Sequence, residues 1–220
     1  MTTLELPSKT MKQLSDYVGG LSAPSKMPGH GYSLPAKECK TGAKLREIEG
    51  STCSGCYAMK GRYSFGNVQA ALYRRLEAIR KDGWSLAMAE LLTRKNETFF
   101  RWHDSGDLQD AEHLAAIVEV CELTPTVSHW LPTREYRIVT DYVESGGVIP
   151  ENLNIRFSAH MIGGHVPSFP RLRNLVTVST VTRDGSTEGH ACPAPKQGNS
   201  CGDCRACWDT SVPLVNYKLH

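Results

Sequence analysis

The sequence predicts an α/β protein whose strands run parallel, either as a sheet or as part of a (βα) barrel. From about residue 98 to residue 181, short β-branched and aromatic runs alternate with stretches whose apolar residues recur at helical spacing. Parallel strands need such helical crossovers. The chain then becomes rich in cysteine. We therefore expect an α/β core over residues 1–188 and a metal-binding segment over residues 189–220.

The predicted elements begin after a region punctuated by glycine and proline. Residues 1–36 predict loop with at most a short helix. Apolar residues at helical spacing predict a helix over residues 66–82, which Gly83 is expected to end. A second helix is expected to begin at Trp84.

Four strands are expected in the second half of the core. They cover residues 98–102, 126–131, 153–157 and 175–181. Pro132 is expected to close the second strand, and Thr133 can cap the helix that follows it. Cys121 lies on the apolar stripe of the helix after the first strand, so we expect it to be buried packing rather than a ligand.

The amino-acid composition limits the classes of protein to which this chain can belong. The chain has 220 residues, 40% of them apolar and 22% charged, which is ordinary for a globular domain. The net charge of +2 gives no general case for nucleic-acid or membrane partners. The sequence has no apolar run long enough to span a bilayer and no signal-peptide pattern. We expect no membrane partner and a reducing, cytoplasmic location, where thiolates are free to bind metal.

Three cysteines near the N-terminus have metal-ligand spacing. Cys39, Cys53 and Cys56 read C-x13-C-x2-C, and two thiolates separated by two residues can bind the same metal centre. Three cysteines can hold a 4Fe–4S cluster and leave its fourth iron open for a small molecule. The alternative is a zinc site completed by His30 or by a cysteine from the C-terminal group.

Four further cysteines lie near the C-terminus. Cys192, Cys201, Cys204 and Cys207 read C-x8-C-x2-C-x2-C, a full ligand set for a second 4Fe–4S cluster or for zinc. The spacing leaves open whether the two groups form one site or two.

Polar residues follow each of the four predicted strands, where parallel sheets bind ligands, and Arg183 and Asp184 follow the fourth. A carboxylate there can accept hydrogen bonds from an amine or a ribose, whereas a turn with a helix cap would alone explain Gly106 and Asp107. The expected cofactor-binding residues are His103, Asp104, Ser105, Gly106 and Asp107 after the first strand, Arg134 after the second and His160 after the third.

A locally basic segment carries interleaved aromatic residues. It could contact phosphates or stack on bases, or it could be the solvated face of an amphipathic helix. The basic residues are Lys60, Arg62, Arg74, Arg75, Arg80 and Lys81, and the aromatic residues are Tyr57, Tyr63, Phe65 and Tyr73.

Together these features resemble radical S-adenosylmethionine (SAM) enzymes that carry an auxiliary cluster. The resemblance implies a partial (βα) barrel, a three-cysteine cluster whose open iron chelates SAM, and a glycine–acid turn, here Gly106 and Asp107, that faces the methionine moiety. It also implies an electron donor such as flavodoxin or ferredoxin, and a small-molecule or nucleotide substrate. The first cysteine gap is thirteen residues here, where that superfamily usually has three.

Longer strings resemble a bacteriophage family named after gene product 88 of a mycobacteriophage. They are SLPAKECKTGAKL, CSGCYAMKGRY, NVQAALYRRL, RWHDSGDL and CGDCRACWD. This resemblance implies expression in the cytoplasm of a bacterial host. We expect an iron–sulfur enzyme that generates a 5′-deoxyadenosyl radical to modify a substrate, such as a nucleotide or nucleic acid. The alternative is a non-enzymatic zinc or iron–sulfur module that binds nucleic acid or a host protein.

Overall fold

A computed structural model describes residues 9–184 and 188–219, and its framework is a seven-stranded sheet in which every pairing is parallel. The strands lie in the order β1-β2-β3-β4-β5-β7-β6. They are β1 (Gly31–Tyr32), β2 (Phe99–Trp102), β3 (Ser128–Thr133), β4 (Leu153–Ser158), β5 (Thr177–Thr182), β6 (His190–Ala191) and β7 (Leu214–Lys218). The predicted parallel α/β class is thereby confirmed.

Six α-helices accompany the sheet within the described ranges, joined by short 3₁₀ turns. Thr10 caps the first of them through a capping box, and Asp110 caps the fifth by accepting from the amide of His113 at 2.9 Å. The helices are α1 (Met11–Tyr17), α2 (Lys40–Arg46), α3 (Gly66–Ala78), α4 (Trp84–Arg94), α5 (Ala111–Leu123) and α6 (Tyr136–Glu144). No helix in these ranges is long and apolar enough to cross a membrane.

Some predicted boundaries were wrong. Helix α3 ends at Ala78, and Gly83 instead precedes α4 in a left-handed conformation with φ 70°. Pro132 lies inside β3 rather than after it, paired in register with Arg156. Thr133 is the last residue of β3, and Glu135 takes the position before α6. The predicted strand 175–181 begins two residues later and ends one residue later, as β5.

The two faces of the sheet differ in chemistry because side chains alternate along each strand. One face is apolar and packs against the helices, with Phe100 and Trp102 of β2 and Ile155 of β4 fully buried beside Trp84 and Leu114. Cys121 belongs to this core and is completely buried, which confirms the packing role predicted for it.

The opposite face is polar, and residues 206–212 cover it. The fully buried guanidinium of Arg156 donates to the carbonyl oxygens of Ala206 and Val212, at 3.0 and 3.1 Å. The indole of Trp208 donates to the carbonyl oxygen of Phe100 at 2.9 Å and packs edge-on against Trp130. The C-terminal cysteine segment is therefore fastened onto this face, and β6 and β7 extend the same sheet.

Candidate functional site

The three N-terminal cysteines lie in the segment that follows β1. Cys39 immediately precedes α2, and Cys53 and Cys56 occupy the turns after it. A methyl group placed on Gly42 of α2 would lie 3.6 Å from Sγ of Cys39 and 3.7 Å from Sγ of Cys53. Both thiols therefore face the first turn of the same helix, and glycine keeps the space between them open.

These thiols share a buried environment that opposes ionisation. Burial raises the pKa of Cys39 to about 12, helped by Asp107 and by the neighbouring Cys53 and Cys56. Burial also raises the pKa of Cys53, against the opposing positive charge of Arg134. Such an environment holds Cys39 and Cys53 as thiolates only when a cation accompanies them.

Arg134 and His160 fix the turn before Cys53 to the ends of β3 and β4. Nε of Arg134 donates to the hydroxyl of Thr52 at 3.0 Å, and the amide of Thr52 donates to the carbonyl oxygen of His160 at 2.8 Å. The imidazole of His160 stacks on Tyr136 with ring centroids 4.5 Å apart. Both predicted residues therefore lie beside the three-cysteine group.

Asp107 joins the end of β2 to the end of β3. Its buried carboxylate accepts from the amide of Leu108 at 2.8 Å, the hydroxyl of Thr133 at 2.5 Å and the amide of Arg134 at 2.9 Å. Burial raises the pKa of Asp107 to about 6, although these hydrogen bonds oppose the shift. The carboxylate thus positions Arg134 next to the cysteines.

The other residues of the turn after β2 are buried or half-buried, and each has a contact within the fold. Ser105 donates to the carbonyl oxygen of Leu34 at 2.8 Å. Gly106 has φ 77°, and a Cβ there would lie 2.5 Å from Cβ of Leu34, so the close neighbour of this glycine is Leu34. His103 is buried toward α5, with its ring centroid 5.2 Å from that of His113. Burial lowers the pKa of His103 well below its usual value.

Asp104 instead turns toward the segment that follows Cys56. Oδ2 of its carboxylate accepts from the hydroxyl of Tyr63 at 2.7 Å, and its carbonyl oxygen accepts from the hydroxyl of Tyr57. The ring centroids of these two tyrosines lie 5.8 Å apart. The turn after β2 and the residues after Cys56 therefore form one surface.

The four C-terminal cysteines lie near the edge of the sheet that β6 and β7 form. Cys192 follows β6, and its amide donates to the carbonyl oxygen of Asn216 at 2.9 Å. Sγ of Cys204 lies 3.4 Å from Nε2 of His190, and Sγ of Cys207 lies 3.1 Å from the hydroxyl of Tyr217.

Electrostatic contacts link these four thiols to one another. Burial raises the pKa of Cys207 to about 11, and Cys192 adds to that shift. Burial likewise raises the pKa of Cys201, with contributions from Cys192 and Cys204. Cys192 therefore lies within electrostatic range of Cys201, Cys204 and Cys207.

Arg101 of β2 lies between the two cysteine groups and was not predicted. Its guanidinium stacks on Trp130, 4.4 Å from the ring centroid. It lies within electrostatic range of Tyr57, Asp104, Cys207 and Tyr217. The signal was present in the sequence, because alternation in FFRW points the arginine away from the face that buries Phe100 and Trp102.

His30, considered as a zinc ligand, lies at the other end of β1. Its ring pairs with Glu97, and its amide donates to Oε2 of Glu97 at 3.1 Å. Across residues 9–184 and 188–219, no group of three or more His, Cys, Asp or Glu side chains is arranged to hold a metal ion.

These features define an α/β protein with a parallel sheet whose polar face and carboxyl edge are lined by cysteines. The chain belongs to the gene product 88 family, which matches residues 5–210. This match confirms the resemblance to the bacteriophage family. No curated protein matches the chain, and no solved structure matches it either.

Proposed function

We propose that this protein is an iron–sulfur enzyme of the radical SAM type, which generates a 5′-deoxyadenosyl radical to modify a small-molecule or nucleotide substrate. One observation carries the proposal. Cys39 and Cys53 face a common space beside α2, and Arg134 and His160, which follow β3 and β4, border the same space. Two thiols and the polar carboxyl ends of parallel strands thus lie close together, and Cys56 lies within electrostatic range of Cys39.

The strand order supports the barrel interpretation. Strands β1 to β5 follow one another in sequence across the sheet, as successive βα units of a partial barrel do. In this proposal the polar face, with Arg101 and Arg156, is the inner surface of the barrel. The C-terminal cysteines would then hold a second cluster on that inner surface.

Each residue has a defined part in this proposal. Cys39, Cys53 and Cys56 would hold the first cluster, which supplies the electron that breaks a C–S bond of SAM. Asp107 positions Arg134, and Arg134 provides positive charge beside the thiolates. Cys192, Cys201, Cys204 and Cys207 would hold the second cluster, and a flavodoxin or ferredoxin of the host cytoplasm would donate electrons.

The test compares three cysteine variants purified without oxygen. Wild type and Cys121→Ala should be brown, with roughly eight irons per chain, because Cys121 lies in the apolar core. Cys53→Ala and Cys204→Ala should each retain roughly four irons. With dithionite and SAM, Cys53→Ala should form no 5′-deoxyadenosine, whereas Cys204→Ala should still form it.

Three results would count against the proposal. Wild-type protein with neither iron nor acid-labile sulfide would end it, and so would undiminished SAM cleavage by Cys53→Ala. Colourless protein with stoichiometric zinc would favour the alternative of a non-enzymatic module. The 3.4 Å contact between Cys204 and His190 is the observation that favours zinc at the C-terminal group.

A further inference from the structure

Two buried polar atoms beside the segment that follows Cys56 stand further apart than the partners of an ion pair, and we call the interval between them the gap. Nε of Arg101 and Oδ1 of Asp104 are both buried and lack a hydrogen-bond partner. The two side chains influence each other electrostatically, yet no ion pair joins them in the part of the chain that the structure describes. A buried donor and a buried acceptor left unpaired cost stability unless a ligand or water completes them.

The segment that follows Cys56 covers this gap and carries exposed aromatic residues. Tyr57 and Tyr63 hold Asp104 through their hydroxyl groups, and the ring of Tyr57 is nevertheless 58% exposed. Phe65, at the end of the same segment, is 57% exposed. Large exposed aromatic residues beside a polar gap are typical of surfaces that bind bases by stacking.

In the described part of the chain, two basic side chains without ion pairs lie in the same segment as these aromatic residues. Lys60 and Arg62 are exposed, and within the described ranges neither side chain has an ion pair or a hydrogen bond. Two other basic residues of this region are occupied: Arg75 is buried and donates to the carbonyl oxygen of Gly20, and Arg80 pairs with Asp110. The unpaired positive charge of residues 57–65 is therefore available to phosphates.

We propose that the substrate is a base of single-stranded nucleic acid, which deepens the proposed function by naming what it acts on. Tyr57 and Phe65 stack on bases, while Lys60 and Arg62 contact phosphates of the strand. One base edge enters the gap, where Asp104 accepts from a ring amine or amide and Arg101 donates to a neighbouring carbonyl or ring nitrogen. Arginine and acidic side chains read base edges in this way.

Binding of labelled single-stranded DNA to the anaerobically purified full chain tests this surface. We would measure fluorescence anisotropy of strands of about 12 nucleotides over a series of salt concentrations. The Lys60→Ala, Arg62→Ala double variant should lower the slope of log affinity against log salt by about 1.4, or about 0.7 per phosphate contact. Phe65→Ala should weaken binding roughly 5- to 150-fold without changing the slope.

Matched controls lie elsewhere on the surface. Arg137→Ala removes a side chain that is 92% exposed on α6, and Val148→Ala removes an apolar one that is 71% exposed. Both should bind as wild type does. Arg101→Met should reduce the preference among strands that differ in base, with the salt slope unchanged. If circular dichroism shows that Arg101→Met does not fold, Arg101→Lys provides the same comparison. Lysine retains the positive charge but lacks the planar guanidinium that donates two parallel hydrogen bonds.

The outcomes separate this inference from the proposed function. Affinities of the Lys60, Arg62 and Phe65 variants equal to wild type would overturn the inference, and so would an absence of salt-dependent binding at micromolar protein. If the variants lose strand binding but wild type forms no 5′-deoxyadenosine, the binding surface is upheld and radical chemistry is refuted. Deoxyadenosine formed by a protein that binds no strand would uphold the chemistry and overturn the inference.

Discussion

Gly42→Ala tests whether a metal centre occupies the space between Cys39 and Cys53. The added methyl group would lie 3.0 Å from Cβ of Cys39, closer than an ordinary carbon contact of about 3.5–4.0 Å. It would also lie 3.6 and 3.7 Å from the two sulfur atoms. Any inorganic sulfide or iron between these sulfurs would then compete with the methyl group for volume.

The two effects of Gly42→Ala on the free energy of unfolding oppose each other. Alanine in place of helical glycine stabilises by about 1 kcal/mol. Overpacking against Cys39 costs about 1–3 kcal/mol. The net destabilisation is therefore about 0–2 kcal/mol, which lowers Tm by at most about 8 °C in a chain of this size. The variant should fold.

Metal content should respond much more strongly. The methyl carbon would lie 3.6 and 3.7 Å from the two sulfur atoms, in the volume that iron or sulfide held by both thiolates would need. We expect iron to fall from roughly eight toward roughly four per chain, with loss of 5′-deoxyadenosine formation.

Gly55→Ala is the matched control, since Gly55 lies between Cys53 and Cys56 but has no atom within 4 Å of an added Cβ. It should retain both iron and SAM cleavage. Iron content, visible absorption and deoxyadenosine yield of Gly42→Ala equal to those of Gly55→Ala would refute the placement of a cluster against α2.

Two further predictions concern stability. In metal-free protein, Asp107 holds its proton more tightly when folded, with a pKa of about 6 against the usual 3.8, so its contribution to stability grows as the pH falls. Urea titrations should show wild type gaining about 1 kcal/mol relative to Asp107→Asn between pH 7 and pH 5, and a loss over that interval would contradict the sign. Arg156→Met removes a buried charged donor from several carbonyl oxygens and should cost about 3 kcal/mol or more, whereas Arg137→Met on the surface should cost less than about 0.5 kcal/mol. Equal urea midpoints for those two variants would show that Arg156 does not fasten residues 206–212.

The strands that the sequence predicts are those with local signals. β2 to β5 each have four or more residues, with β-branched or aromatic side chains in the pattern of a buried strand. β1 and β6 have two residues each, too few to show any alternation. Their place in the sheet is set by tertiary pairing, which a local pattern does not encode.

Charged residues in helix α3 show where sequence interpretation went wrong. Arg75 was counted with the basic surface, but it lies three residues after Leu72 and three before Ala78, on the buried face of the helix. The helical spacing therefore contained the signal that this arginine points inward. Its guanidinium donates to the carbonyl oxygen of Gly20, which local sequence does not reveal.

The cysteines were predictable as groups because thiol ligands at short spacing are rare in other contexts. Their surroundings were not. Arg101 meets Trp130 only because β2 and β3 pair in a register that places the two residues side by side. Asp107 reaches Thr133 and Arg134 only because their strands are neighbours. Such contacts depend on the assembled sheet rather than on spacing along the chain.

The order of the last two strands explains why the C-terminal cysteines face Arg101. β6 takes the outer position first, and the chain then returns to insert β7 between β5 and β6. Because the two strands are parallel, residues 192–213 must travel from the carboxyl end of the sheet back to its amino end.

A helix usually makes such a crossover over the apolar face. Here the connection crosses the polar face, where Arg156 and Asn154 hold it by hydrogen bonds to its backbone. All four C-terminal cysteines lie on this connection, so the crossover itself brings them onto the side of the sheet that Arg101 occupies.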